Sequence, residues 1–142
     1  MHRPATLTTP AHARTPDTSP AQVLQLTSPG EVARDVEIAL ALAEACPAGA
    51  AARAVRDRLR TRIRALADPA EAFAHTMADS RPRDIALATV RYARDLAADP
   101  GGDPVASLRL LAKSAQHLIR YAADGRAEAA RPVSGLALRA AA

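Results

Sequence analysis

Apolar residues recur along this chain at the three- and four-residue spacing of helix faces, and nowhere in the alternation of a strand. Val32, Val36, Leu40 and Ala43 form one stripe, broadened by Ile38 and Leu42. Val55, Leu59, Ile63 and Leu66 form a second. Ala86, Val90, Ala93 and Ala97, with Leu87 and Leu96 alongside, form a third. Val105, Leu108, Ala112, Ala115, Ile119 and Ala122 follow a strict alternation of three and four, widened by Leu111 and Leu118.

Polar punctuation between the stripes predicts where helices start and stop. Ser28-Pro29-Gly30-Glu31 reads as a start: a hydroxyl cap, a proline at the first helical position and a Glu able to reach back. This predicts a helix over 29–45, ended by Cys46-Pro47. A second helix is expected over 48–67. Asp68-Pro69-Ala70-Glu71 repeats the start device and predicts a separate short helix to residue 78, with Phe73 and Met77 inward. A fourth is expected over 83–98. The breaker Asp99-Pro100-Gly101-Gly102 follows, then Asp103 as cap and Pro104 at the first position of the last helix. Gly125 reads as its left-handed terminator.

Dense prolines and scarce apolar surface mark residues 1–27 as a disordered N-terminal arm, with Val23, Leu24 and Leu26 docking at its end. Residues 28–125 form the helical domain, and 126–142 a flexible C-terminal tail. The fold class is all-α: a four- to five-helix up-and-down bundle.

Composition narrows the picture. At 142 residues there is room for one domain. Its core is made of Ala, Leu and Val, since the only aromatics are Phe73, Tyr92 and Tyr121. Alanine favours helix but buries little area per residue, so self-association would be one way to bury more. No apolar run approaches the roughly 20 residues of a membrane span. The single cysteine, Cys46, excludes an intrachain disulfide and fits a reducing, cytoplasmic setting.

The net charge is +4, and Lys113 is the only lysine among the bases. Arg53, Arg56, Arg60 and Arg64 fall on one flank of the second stripe, with Arg58 and Arg62 towards the other. Such a ridge could bind a polyanion such as nucleic acid, since guanidinium forks suit phosphate oxygens. The plainer reading is a solvated rim whose arginine stems cover the core edge and face the acidic first helix. The frequent Arg, Ala and Pro suit a GC-rich coding sequence, which discounts the arginines as a nucleic-acid signal.

Candidate chemistry is thin. Residues 71–96 superficially resemble a helix-turn-helix, but Asp79 and Asp84 occupy apolar positions and Ile85 arrives one place late, a slip of about 100°. Gly101-Gly102-Asp103 resembles the attachment motif of peptidyl carrier proteins, yet Pro104 stands where the modified serine belongs and Ser107 lies three residues on. His75 and His117 have no ligand partners at metal spacing, and no nucleophile has a neighbouring base. The expectation is therefore no catalytic residue, no metal and no cofactor.

The last two helices carry a resemblance. Ala86-Leu87-Ala88-Thr89-Val90, Ala93-Arg94-Asp95-Leu96, Pro100-Gly101 and Leu110-Leu111-Ala112-Lys113-Ser114 resemble a family of small actinobacterial proteins of unknown function, labelled natural-product biosynthesis proteins. The resemblance implies a helical fold and a setting in specialised metabolism. The family's closing Cys-Asp-His-Tyr-like cluster is replaced by Leu118-Ile119-Arg120-Tyr121, so it implies no metal or acid–base role. Together these features point to a non-catalytic accessory or interaction protein. It would pair with a protein partner or itself through the 105–122 seam, the alternative being an arginine-rich nucleic-acid-binding module.

Overall fold

The computed structural model describes residues 19–99 and 102–132. They form five helices and, among the described residues, no strand: α1 (Pro20–Leu26), α2 (Pro29–Ala45), α3 (Ala50–Thr76), α4 (Arg81–Ala98) and α5 (Pro104–Ala129). The expected all-α, up-and-down architecture is the one observed. Residues 1–18 of the expected arm and 133–142 of the expected tail lie outside the described residues.

α3 and α5 form the central pair. α2 packs on both from one side and α4 on both from the other, and α2 and α4 do not touch. Small residues line the central helices: Ala67, Ala70 and Ala74 on α3, and Ala112, Ala115 and Ala122 on α5, all buried. Leu59, Ile63, Leu66, Leu108, Leu111 and Leu118 supply the bulk of the core. Each such side chain contributes about 1.5–3 kcal/mol when fully buried.

Three boundaries differ from those predicted, each for a physical reason. First, α1 occupies the end of the segment expected to be a disordered arm. Ser19 Oγ accepts from the Gln22 N–H at 3.3 Å and Pro20 sits at the first position. The carbonyl end of α1 is gripped from outside: Arg62 donates to the Gln25 and Leu26 carbonyls at 3.1 and 3.2 Å, and Arg126 to the Thr27 carbonyl at 3.2 Å. Of its apolar residues, Leu26 is half-buried while Val23 and Leu24 are exposed.

Second, α3 does not stop at Asp68. It runs through Pro69 as one 27-residue helix. A proline there removes one ladder hydrogen bond. The buried face nevertheless continues through it, from Leu59, Ile63 and Leu66 to Ala70 and Ala74, while Pro69 is exposed. Packing of that face keeps the helix continuous. Asp68 is not a cap; its carboxylate takes a 2.7 Å bond from Arg94.

Third, α5 passes Gly125 and ends at Ala129. Gly125 is not left-handed; among the described residues Gly102, in the breaker, alone has positive φ, at 114°. A Cβ on Gly125 would lie 3.1 Å from Phe73 Cβ, so this glycine provides close approach between α3 and α5. Of the expected caps, Asp103 works as read, accepting from the Ala106 N–H at 2.9 Å. Ser28 makes no side-chain cap bond, and Glu31 turns towards Arg62 at 3.4 Å instead of back to the helix start.

Candidate functional site

The 105–122 seam is internal. Leu108, Ala112, Ala115 and Ala122 are buried, and Val105 and Ile119 are half-buried against the same core. α5 is covered by α2, α3 and α4, so the seam pairs helices within the chain and is spent before any partner arrives. In this geometry the helices that the seam pairs belong to the same chain. A long apolar stripe fits a helix shared by three neighbours as well as one awaiting a partner.

The arginine ridge is partly engaged within the chain, with Arg53 and Arg64 exposed and Arg56 and Arg60 half-buried. Arg56 donates to the Pro47 carbonyl at 3.2 Å and the Pro104 carbonyl at 3.3 Å, tying the α2–α3 turn to the start of α5. Arg64 donates to the Ala97 carbonyl at 3.0 Å and so caps the C-terminal end of α4. Arg60 meets Asp57 at 3.4 Å, and Arg53 is exposed. Arg53, Arg56 and Arg60 share a recess of about 250 Å³ with Asp57, Pro104 and Ser107. Ser107, the displaced serine of the carrier-like motif, lies inside α5 and is half-buried there.

On the opposite flank of α3 one charge pair, Asp35 and Arg62, is buried. Asp35, 5% exposed, receives Arg62 Nε at 2.6 Å and Arg58 Nε at 3.1 Å. Arg62, 8% exposed, also holds the end of α1 and faces Glu31. The acidic residues of α2 and the arginines of α3 therefore meet. Sequence reasoning missed the depth of this pair. Its signal was Asp35, one residue before Val36 on the inner stripe.

A second charge cluster joins α3 to α4. Arg94 bridges Glu71 at 2.6 Å and Asp68 at 2.7 Å. The Arg94 hydrogen bond, then its charge, holds the Glu71 carboxyl below its ordinary range, and Glu71 in turn holds the proton on Arg94 more firmly. His75 lies 3.7 Å from Glu71 and 3.5 Å from Arg83. These groups sit on the open surface, where they link helices. Among the described residues no group of three or more His, Cys, Asp or Glu could hold a metal ion, and no helix is long and apolar enough to cross a membrane.

What the bundle leaves outside is more distinctive. Ile85 and Tyr92 on α4 and Leu110 on α5 are 52%, 50% and 41% exposed. All three line one groove of about 390 Å³ between α4 and α5, with Ala88, Thr89, Lys113 and His117. Ile85, the residue that arrives one place late for a helix-turn-helix, points away from the core. On the other side of α5, Leu40 lines a groove with Val36, Ile119, Lys113 and His117. Lys113 and His117 thus line both grooves, the second of which also holds the polar Glu37, Gln116 and Arg120.

Residues 30–127 match the DUF6415 family, a family of unknown function. The chain belongs to that family. The match runs from the first turn of α2 to the last turns of α5, leaving α1 outside. It is broader than the two-helix resemblance seen in the sequence, and it carries no link to natural-product biosynthesis. Comparison with curated proteins and with solved structures finds no match. DUF6415 membership therefore fixes kinship, while the reading of the surface rests on the residues themselves.

Proposed function

We propose that this DUF6415 protein is a non-catalytic interaction protein that works through the outer face of α4 and α5. One observation carries the reading: three of the largest exposed apolar side chains, Ile85, Tyr92 and Leu110, converge on a single groove. Large apolar groups held together in water mark a surface that a partner covers. The aromatic at its centre supports the same reading, since Tyr is a favoured anchor at interfaces. Lys113 and His117 at the rim supply polar contacts that set orientation. Cys46, exposed at the end of α2, suits a reducing compartment, so the cytoplasm is part of the proposal. The resemblance of the last two helices suggests a setting near natural-product biosynthesis.

The test places a photo-reactive amino acid at Tyr92, and separately at Arg53, in the producing host. The expected result is one discrete protein adduct from position 92, lost when Ile85→Glu is added while the helical signal is unchanged. No protein adduct from position 92, or nucleic-acid adducts from position 53 alone, would overturn the proposal and move function to the arginine recess.

A further inference from the structure

The exposed side of α4 has a pattern of its own. Arg81, Ile85, Ala88, Tyr92 and Asp95 recur at spacings of four, three, four and three, and all five are exposed. This is the period of a helix-pairing seam, set opposite the buried line of Ala86, Val90, Ala93 and Ala97. α4 therefore has two seams, one already packed inside the bundle and one not.

The charges on the outer seam are arranged by sign. Arg81 and Asp95 stand seven residues either side of Ala88. Asp84 stands four before it and Arg91 three after. Among the described residues none of these four has an ion-pair partner. Arg94, on the side facing α3, is by contrast paired twice within the chain.

That order is self-complementary only when reversed. A second α4 laid antiparallel across Ala88 puts Arg81 against Asp95 of the second copy, and Asp84 against Arg91 of the second copy. Two-fold symmetry then repeats both pairs. A parallel α4 would set Arg81 on Arg81 and Asp95 on Asp95, which repel. Ala88 at the crossing point lets the backbones approach. Ile85 and Tyr92 meet their counterparts on either side, and Leu110 from α5 closes each flank.

We infer that the α4 face is covered by a second copy of this chain, paired antiparallel about Ala88. This rests on the interaction-protein reading and names its partner. The surface pairs are exposed before pairing, so they act mainly on register and orientation, while Ile85, Tyr92 and Leu110 supply the apolar burial.

The test is sedimentation equilibrium of the full chain at about 0.15 M salt, where charges beyond a Debye length are screened. The wild-type chain is expected to dimerise. Asp95→Arg removes two pairs at once and sets like charges opposed, so the dimer weakens about tenfold or more. Arg81→Asp does the same. The double variant, Arg81→Asp with Asp95→Arg, restores the dimer because the pairs re-form with signs exchanged. Ile85→Glu with Leu110→Glu gives a monomer with unchanged helix content. A wild-type chain monomeric up to about 1 mM, a dimer indifferent to Asp95→Arg, or a double variant that stays weak would each overturn the inference. A monomer that still gives a discrete adduct to another protein from position 92 overturns self-pairing and leaves the interaction-protein reading standing. A monomer that gives no adduct overturns both.

Discussion

Replacing Asp35 with Ala removes one member of a buried charge pair and leaves the other in place. Arg62 and Asp35 are 8% and 5% exposed and meet at 2.6 Å. Breaking a buried pair from one side costs about 3–5 kcal/mol, because the remaining charge is desolvated without compensation. Two features place the cost near the lower end. Arg62 keeps its bonds to the Gln25 and Leu26 carbonyls, and Glu31 at 3.4 Å is 56% exposed and screened by water. The Arg58 contact adds within about 1 kcal/mol, since its side chain is 48% exposed. The expected loss is about 3 kcal/mol, a large part of the roughly 5–15 kcal/mol that holds a domain folded. It appears as a Tm lowered by about 10–15 °C and a lower urea midpoint at unchanged m-value. Replacing both partners, Asp35→Leu with Arg62→Met, removes the stranded charge and restores most of the stability. It also removes the clamp on α1, so amides at its C-terminal end exchange faster while those of α3 do not. A cost below about 1 kcal/mol for Asp35→Ala, or a double variant no better than the single, would refute this reasoning.

Three further outcomes follow from particular contacts. Glu71 titrates below its ordinary 4.5 because Arg94 stabilises its charged form. Its contribution is therefore complete above that value and is lost as pH falls through the lowered one. Urea midpoints of the wild type and Glu71→Gln should differ near neutral pH and converge in acid; a gap that widens in acid would reverse the sign. Asp103→Ala should cost about 1 kcal/mol by thermal melting, because the Ala106 N–H loses its cap. Pro69→Ala should stabilise by about 1–2 kcal/mol, restoring a hydrogen bond inside α3 against a more flexible unfolded chain. A destabilised Pro69→Ala would show that the proline shapes the helix to its neighbours.

The apolar spacing made the bundle legible. Ala86, Val90, Ala93 and Ala97 are all buried as their period requires, and so are Val55, Leu59, Ile63 and Leu66. Punctuation was less legible, because the same residues serve different ends. Asp103-Pro104 starts a helix, whereas Asp68-Pro69 sits inside one, where burial of Ala70 and Ala74 outweighs the missing bond. Gly125 reads as a stop but provides space for Phe73. The arginine ridge was visible as a ridge, yet its destinations were not. The carbonyls of Pro47, Pro104 and Ala97 become acceptors only once three separate chain segments meet. The outer seam of α4 escaped notice because Arg81, Ile85, Ala88, Tyr92 and Asp95 are mixed in character. Only the burial of the opposite side shows that they share an open face.

The most direct test of the account is a disulfide trap at Ala88, in a Cys46→Ser background. Paired helix axes about 8–10 Å apart, with Cα atoms about 2.3 Å off each axis, bring facing Cα atoms to about 3.4–5.4 Å. The upper part of that range suits a disulfide, whose Cα atoms usually lie about 4.4–6.8 Å apart. Under mild oxidation Ala88→Cys should give a covalent dimer, while Ala41→Cys, exposed on α2, should not. An Ala88→Cys chain that stays monomeric, or dimerises no faster than the Ala41→Cys control, would contradict the pairing of two α4 faces.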